Sequence, residues 1–260
     1  GGTLDPLASG VLPVALGEAT KLCGRMLDSD KVYDFTIGFG TETSTLEAEG
    51  EAVATSAVRP TLAQVEAVLP RFAGPIEQVP PAYSALMIEG KRAYDRARAG
   101  EQVEMKTRQV TVHSLDCHSR ESGDEGLQDV TLTARVSKGT YIRSLARDIA
   151  RALDTVGSVT MLRRVKAGPF TLERAISLDK LAELGKGRAL EQAILPLAAG
   201  LDDIPALPVT PDQARLLRQG QKVIGIASTP GLHMATDREV PVALVELSGA
   251  EMRVVRGFNL

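Results

Sequence analysis

Residues 31–39, Lys-Val-Tyr-Asp-Phe-Thr-Ile-Gly-Phe, alternate cleanly in character. Tyr33, Phe35, Ile37 and Phe39 share one side, and Asp34, Thr36 and Gly38 share the other. Successive strand side chains point to opposite faces, so this run predicts a strand with one buried face. Val130, Leu132, Ala134 and Val136 repeat the pattern inside a second strand over 127–136, and 103–115 reads as a third. Between the strands lie helical patterns. Leu62, Val65, Val68, Leu69 and Phe72 line one face of 61–72, opened by a Thr61–Gln64 capping box and ended or kinked at Pro70. A second helix, starting near Thr140, places Ile142, Leu145, Ile149 and Leu153 on its buried side and repeats Arg143, Arg147 and Arg151 on the other. Helical character is also expected near 19–27 and over 91–99, where Gly100 terminates it.

The last third reads differently. Short helices at 177–184 and 188–195 lead into Pro196 and a linker. Thr210-Pro211-Asp212-Gln213 is a strong helix start, with a Thr cap, Pro at the first position and Gln completing the box. Strands are expected over 223–226, 242–247 and 252–258, with Ser248-Gly249 turning the last pair. This predicts a small, mostly β module after a larger first domain, with domains over 1–200 and 201–260.

At 260 residues the chain can bury a large core. It contains no apolar run of about eighteen residues, so no membrane span is expected. Cys23 and Cys117 have no paired spacing and read as reduced thiols of a cytoplasmic protein. His113, Asp116, Cys117 and His118 lie close together, but their spacing fits no standard zinc site, and no metal is expected. The net charge of −3 does not mark a nucleic-acid binder, yet residues 86–166 hold 15 Lys/Arg against 11 Asp/Glu. Such a basic middle fits a phosphate-tracking face or a set of solvated helix surfaces.

The chemistry concentrates in a few motifs. Gly2-Thr3-Leu4-Asp5-Pro6-Leu7-Ala8-Ser9-Gly10-Val11-Leu12-Pro13 sets one carboxylate, Asp5, in a turn-forming context. Leu16-Gly17-Glu18-Ala19-Thr20-Lys21 follows it, and Lys31-Val32-Tyr33 comes shortly after. The run Gln78-Val79-Pro80-Pro81-Ala82-Tyr83-Ser84-Ala85 is extended and Pro-rich. Ser137-Lys138-Gly139-Thr140-Tyr141-Ile142-Arg143 and Met161-Leu162-Arg163-Arg164-Val165-Lys166 complete the set. By pattern alone Tyr33 and Leu162 are core, and Arg147 and Arg151 belong to an ordinary amphipathic helix.

In this order the motifs closely resemble those of the TruB-type tRNA pseudouridine synthases. The resemblance implies an α+β fold: a catalytic core on a mixed, mostly antiparallel sheet with flanking helices, plus a small PUA-like, mostly β C-terminal domain that binds RNA. It implies that Asp5 is the catalytic carboxylate and that Arg143 pairs with it, a contact in which a planar guanidinium favours the charged carboxylate. Tyr33, Tyr141, Arg143 and Leu162 are the implied substrate-binding residues, with Tyr33 and Leu162 sandwiching a flipped-out base. Lys21, Lys91, Arg92, Lys138, Arg163 and Arg164 are candidates for the RNA backbone. The implied reaction isomerises the T-arm uridine of tRNA (uridine 55) to pseudouridine, and neither cofactor nor metal is expected. The implied partner is the tRNA T-arm stem-loop, bound by a monomer. Family members carry more sequence before the Asp motif, so a leading segment is expected to be missing here. Two other readings share parts of the pattern. One is a non-catalytic RNA-binding protein on the same fold. The other is a glycosidase-like hydrolase, disfavoured because no second acid recurs in these motifs.

Overall fold

The computed structural model describes residues 3–84, 86–88, 90–101, 105–118 and 126–260. The Gly1-Gly2 opening, Ala85, the start of the expected 103–115 strand and the connection at 121–125 lie outside them. The chain divides into two compact units. One comprises Thr3–Val11 and Asp28–Ala167, and the other Leu12–Leu27 and Gly168–Leu260. This division differs from the boundary near residue 200 expected from the sequence.

In chain order the strands of the first unit are β1 (Ser9–Gly10), β2 (Lys31–Phe39), β3 (Thr41–Thr43), β4 (Ala52–Thr55), β5 (Gly74–Gln78), β6 (Met87–Ile88), β7 (Lys91–Arg92), β8 (Arg108–Cys117), β9 (Asp129–Val136) and β10 (Gly157–Ala167). The main sheet runs β1-β10-β2-β9-β8-β5. All its pairings are antiparallel except β1 with β10, which is parallel. The alternation at 31–39 predicted its buried face: Phe35, Ile37 and Phe39 are buried there, joined by Val130, Leu132, Ala134 and Val136 of β9. Apolar side chains at every second position leave water together only when one sheet face is covered.

The cover comes from helices. Helix α1 (Cys23–Asp28) lies almost wholly in the other unit; α2 (Leu62–Val68) begins with the Thr61–Gln64 capping box and gives way at Pro70 to a turn of 3-10 helix over Leu69–Phe72. This is the outcome required by a residue lacking its N–H. Lys91 and Arg92 stand on β7 of the β6–β7 hairpin, and the expected helix shortens to α3 (Ala93–Arg98). Helix α4 (Ile142–Ala152) packs on β10 and β2 and buries Ile142, Leu145, Ala146, Ile149 and Ala150.

In the second unit, β11 (Phe170–Thr171) precedes α5 (Leu178–Lys186), which is capped by Ser177. The expected helix at 188–195 is a 3-10 turn over Leu190–Ala193. Then come β12 (Ala206–Pro208), α6 (Pro211–Arg218), β13 (Val223–Ile224), β14 (Gly231–Asp237), β15 (Val240–Ser248) and β16 (Glu251–Gly257), in a five-stranded sheet ordered β12-β14-β15-β16-β13. The Thr210–Gln213 capping box opens α6 as expected. Strand β14 was not legible in the sequence, because His233 to Thr236 are buried consecutively and show no alternation, and β12 has only three residues, too few to show a period. The core joins Ala214 and Leu217 of α6 to Val242, Val245 and Met252 of the sheet.

Candidate active site

Asp5 sits in a tight turn of the first unit, where the Ala8 N–H donates to the Asp5 carbonyl at 2.9 Å. Pro6 occupies the second turn position, which its fixed φ favours. The chain then pairs with β10, Ser9 opposite Arg163 and Gly10 opposite Arg164. Gly10 has φ +100°, and a Cβ there would lie 2.1 Å from the Arg164 carbonyl oxygen, so only glycine fits.

Arg143 comes from the first turn of α4. Its backbone is set by Gln78, whose side chain accepts from the Tyr141 N–H at 2.7 Å and donates to the Tyr141 carbonyl at 3.0 Å. Ser144 Oγ donates to the Val79 carbonyl at 2.8 Å, so the Pro-rich run is strapped to the helix start. From this anchored turn the Arg143 guanidinium, 4% exposed, reaches the partly open Asp5 carboxylate. Nη2 donates to Asp5 Oδ1 at 3.0 Å. Nε lies 2.9 Å from Oδ2, an ion-pair contact outside hydrogen-bond alignment. Nη1 donates to the Thr45 carbonyl at 3.1 Å.

A second carboxylate faces the same guanidinium: Glu47 Oε1 lies 3.5 Å from Arg143 Nε. The β3–β4 connection carries it. The Val159 N–H donates to the Leu46 carbonyl, and the Ala48 N–H donates to the Val159 carbonyl, both at 3.0 Å. Leu46 adopts φ +61°, a conformation costing an L-residue about 1–2 kcal/mol, and those bonds hold it. Burial pushes the Glu47 carboxyl above 4.5; Arg143 pulls it down and Asp5 pushes it up. Glu47 falls in the Glu47-Ala48-Glu49-Gly50 stretch that continues the family pattern, but the sequence assigns it no site role, and no second acid is expected there. Its place depends on a loop hung on β10, and no local pattern announces that. With Leu7, Val159 and Leu162 it lines a shallow recess.

The other residues singled out from the sequence fall in several places. Tyr33, half-buried, pairs with Ala134 and Arg164 across β2's two neighbours and packs against the core. Leu162 is buried on β10 opposite Phe35. The Tyr141 ring lies 5.8 Å from the Arg108 guanidinium. Lys91 and Arg92 are exposed. Lys138 pairs with Asp28 at 2.7 Å, and Lys21, in the other unit, with Glu18 at 2.6 Å. Of the neighbouring residues that suggested zinc, His113 pairs with Asp30 and His118 bonds Thr133. Arg163 is exposed, whereas Arg164 is 2% exposed, so the expectation that Arg164 faces an RNA phosphate is corrected. Adjacent strand residues point to opposite faces, and Arg164 shares the inner one with Leu162.

A carboxylate held at two points by a buried arginine, with a second carboxylate facing the same guanidinium, defines a site for acid–base or nucleophilic chemistry. The fold is shared with chains of solved structures. It matches a chain in "Structure of H/ACA RNP bound to a substrate RNA containing 2'-deoxyuridine" with a TM-score of 0.73 at 22% identity, covering all of this chain and 75% of that one. It also matches one in "Crystal Structure of a Cbf5-Nop10-Gar1 Complex" with a TM-score of 0.72 at 25% identity, again covering all of this chain and 75% of that one. Residues 1–142 match the model of the TruB family pseudouridylate synthase N-terminal domain, and 143–202 that of the tRNA pseudouridylate synthase B C-terminal domain. Proteins named tRNA pseudouridine synthase B are 64% identical in Novosphingobium aromaticivorans, over all of this chain and 86% of that protein, and 60% identical in Zymomonas mobilis, over all of this chain and 84% of that protein. The chain belongs to the TruB family of pseudouridylate synthases.

Proposed function

We propose that this protein isomerises uridine 55 in the T-arm of tRNA to pseudouridine, with Asp5 as the catalytic carboxylate. The observation that carries the reading is the Asp5–Arg143 contact, made between residues 138 apart in sequence. The reaction breaks the C1′–N1 bond, turns the uracil and joins C1′ to C5. The C5 proton is released to solvent and the freed N1 takes up a proton, so reactants and products balance without an oxidant or reductant. Arg143 orients the carboxylate and balances its charge where water is partly excluded. The target base lies inside a folded T-loop and must be flipped out, with Tyr33 and Leu162 on either side of it and Tyr141 at its edge. Arg163, Lys91, Arg92, Lys138 and Lys21 follow the backbone, and the C-terminal β unit adds RNA contact. The protein acts as a cytoplasmic monomer; its cysteines are free thiols, as a reducing compartment keeps them.

The test is tritium release from a T-arm hairpin labelled at C5 of uridine, run with the parent chain and with Asp5→Ala. Release by the parent alone supports the assignment. RNA binding without release from either protein overturns it in favour of a binding protein on this fold.

A further inference from the structure

Among the described residues Arg164 is the largest fully buried side chain, and no carboxylate lies within ion-pair distance of it. Burying a guanidinium without a counter-ion costs several kcal/mol, so its hydrogen bonds must matter. They go to one place. Nε donates to the Val11 carbonyl at 2.7 Å, and Nη1 donates to the Thr3 carbonyl at 3.0 Å. The Arg164 carbonyl in turn accepts from the Val11 N–H at 2.8 Å. Thr3 and Val11 flank the turn that holds Asp5, and Gly10 lies flat on the Arg164 carbonyl. One residue therefore grips both feet of the loop that carries the carboxylate.

We propose that Arg164 is a positioning residue for the reaction: it clamps the Thr3–Val11 loop so that Asp5 meets Arg143 and the reacting sugar at one geometry. A planar guanidinium reaches two separated carbonyls from two different nitrogens held in a fixed fork, whereas an ammonium gathers its three donors at one point on a flexible stem. Misplacement by about 1 Å costs on the order of a hundredfold in rate, so the clamp acts on the chemical step and leaves RNA affinity alone. The inference rests on the synthase reading above.

The experiment measures single-turnover tritium release at saturating protein, together with RNA affinity and thermal unfolding. It uses the full chain, Asp5→Ala, Arg164→Lys, Arg164→Met and Gly10→Ala. Release by the parent and none by Asp5→Ala first secures the reading; no release by the parent defeats that reading rather than the clamp. The expected order of rates is then parent, Arg164→Lys, Arg164→Met. The Lys variant is about tenfold slower and the Met variant about a hundredfold slower, with RNA affinity within twofold of the parent. Gly10→Ala lies in an exposed loop and leaves the core intact; it too is expected to slow release with affinity retained. The proposal is overturned if folded Arg164 variants convert at the parental rate. Loss of RNA affinity with an unchanged saturated rate also overturns it. Should both Arg164 variants fail to fold, a parental rate from Gly10→Ala overturns it as well.

Discussion

Arg143 places one buried positive charge between two carboxylates, and its planar fork suits the task. Arg143→Lys keeps the charge but loses the two-point grip on Asp5 and the bond to Thr45. A lost charge-assisted hydrogen bond is worth about 1.5–3 kcal/mol, so single-turnover release is expected to fall by about tenfold to a hundredfold with RNA affinity retained. Glu47 offers a sign test. Its carboxyl is pushed upward by burial. It therefore holds its proton more tightly folded than unfolded, and the fold is penalised above that window and relieved as pH falls through it. Glu47→Gln is expected to unfold at a higher temperature than the parent at pH 7, by roughly 1–3 °C, with the gain shrinking toward pH 4. A gain that grows on acidification would contradict the burial effect.

Among the elements, each capped helix stands on a local device. Thr210 Oγ1 accepts from the Gln213 N–H at 3.3 Å, and the Gln213 side chain accepts from the Thr210 N–H at 2.9 Å. Thr210→Ala is expected to destabilise α6 by about 1 kcal/mol, measured as faster amide exchange along that helix. Devices of this range are what a sequence displays openly. The caps at Thr61 and Thr210, the alternation of β2 and β9, and the apolar side of α4 could all be read in advance. Strand β14 could not, since residues covered on both faces leave no period to see, and β12 is too short to show one. Glu47 was hidden because its loop is held by β10, more than a hundred positions away. Arg163 and Arg164 are a different case. They lie on neighbouring positions of a strand, and strand parity alone separates one from the other.

At the scale of the whole molecule, the proposed function has an acidic chain offer the basic side chains of its middle third to a polyanion. RNA affinity is expected to fall linearly on a double-logarithmic salt plot. Arg163→Ala is expected to weaken binding and to flatten that slope by about 0.7–0.9, the share of one phosphate contact, whereas Arg164→Lys leaves the slope unchanged. Filter binding at several salt concentrations reads both. The short parallel pairing of β1 with β10 has a consequence for synthesis. The two carbonyls gripped by Arg164 precede it by 153 and 161 positions. On a ribosome adding about 5–20 residues per second, the aspartate loop waits on the order of ten to thirty seconds for its clamp. The Asp5–Arg143 site is thus among the last parts of its domain to assemble, and a nascent chain holds no complete site until that domain's final strand has emerged.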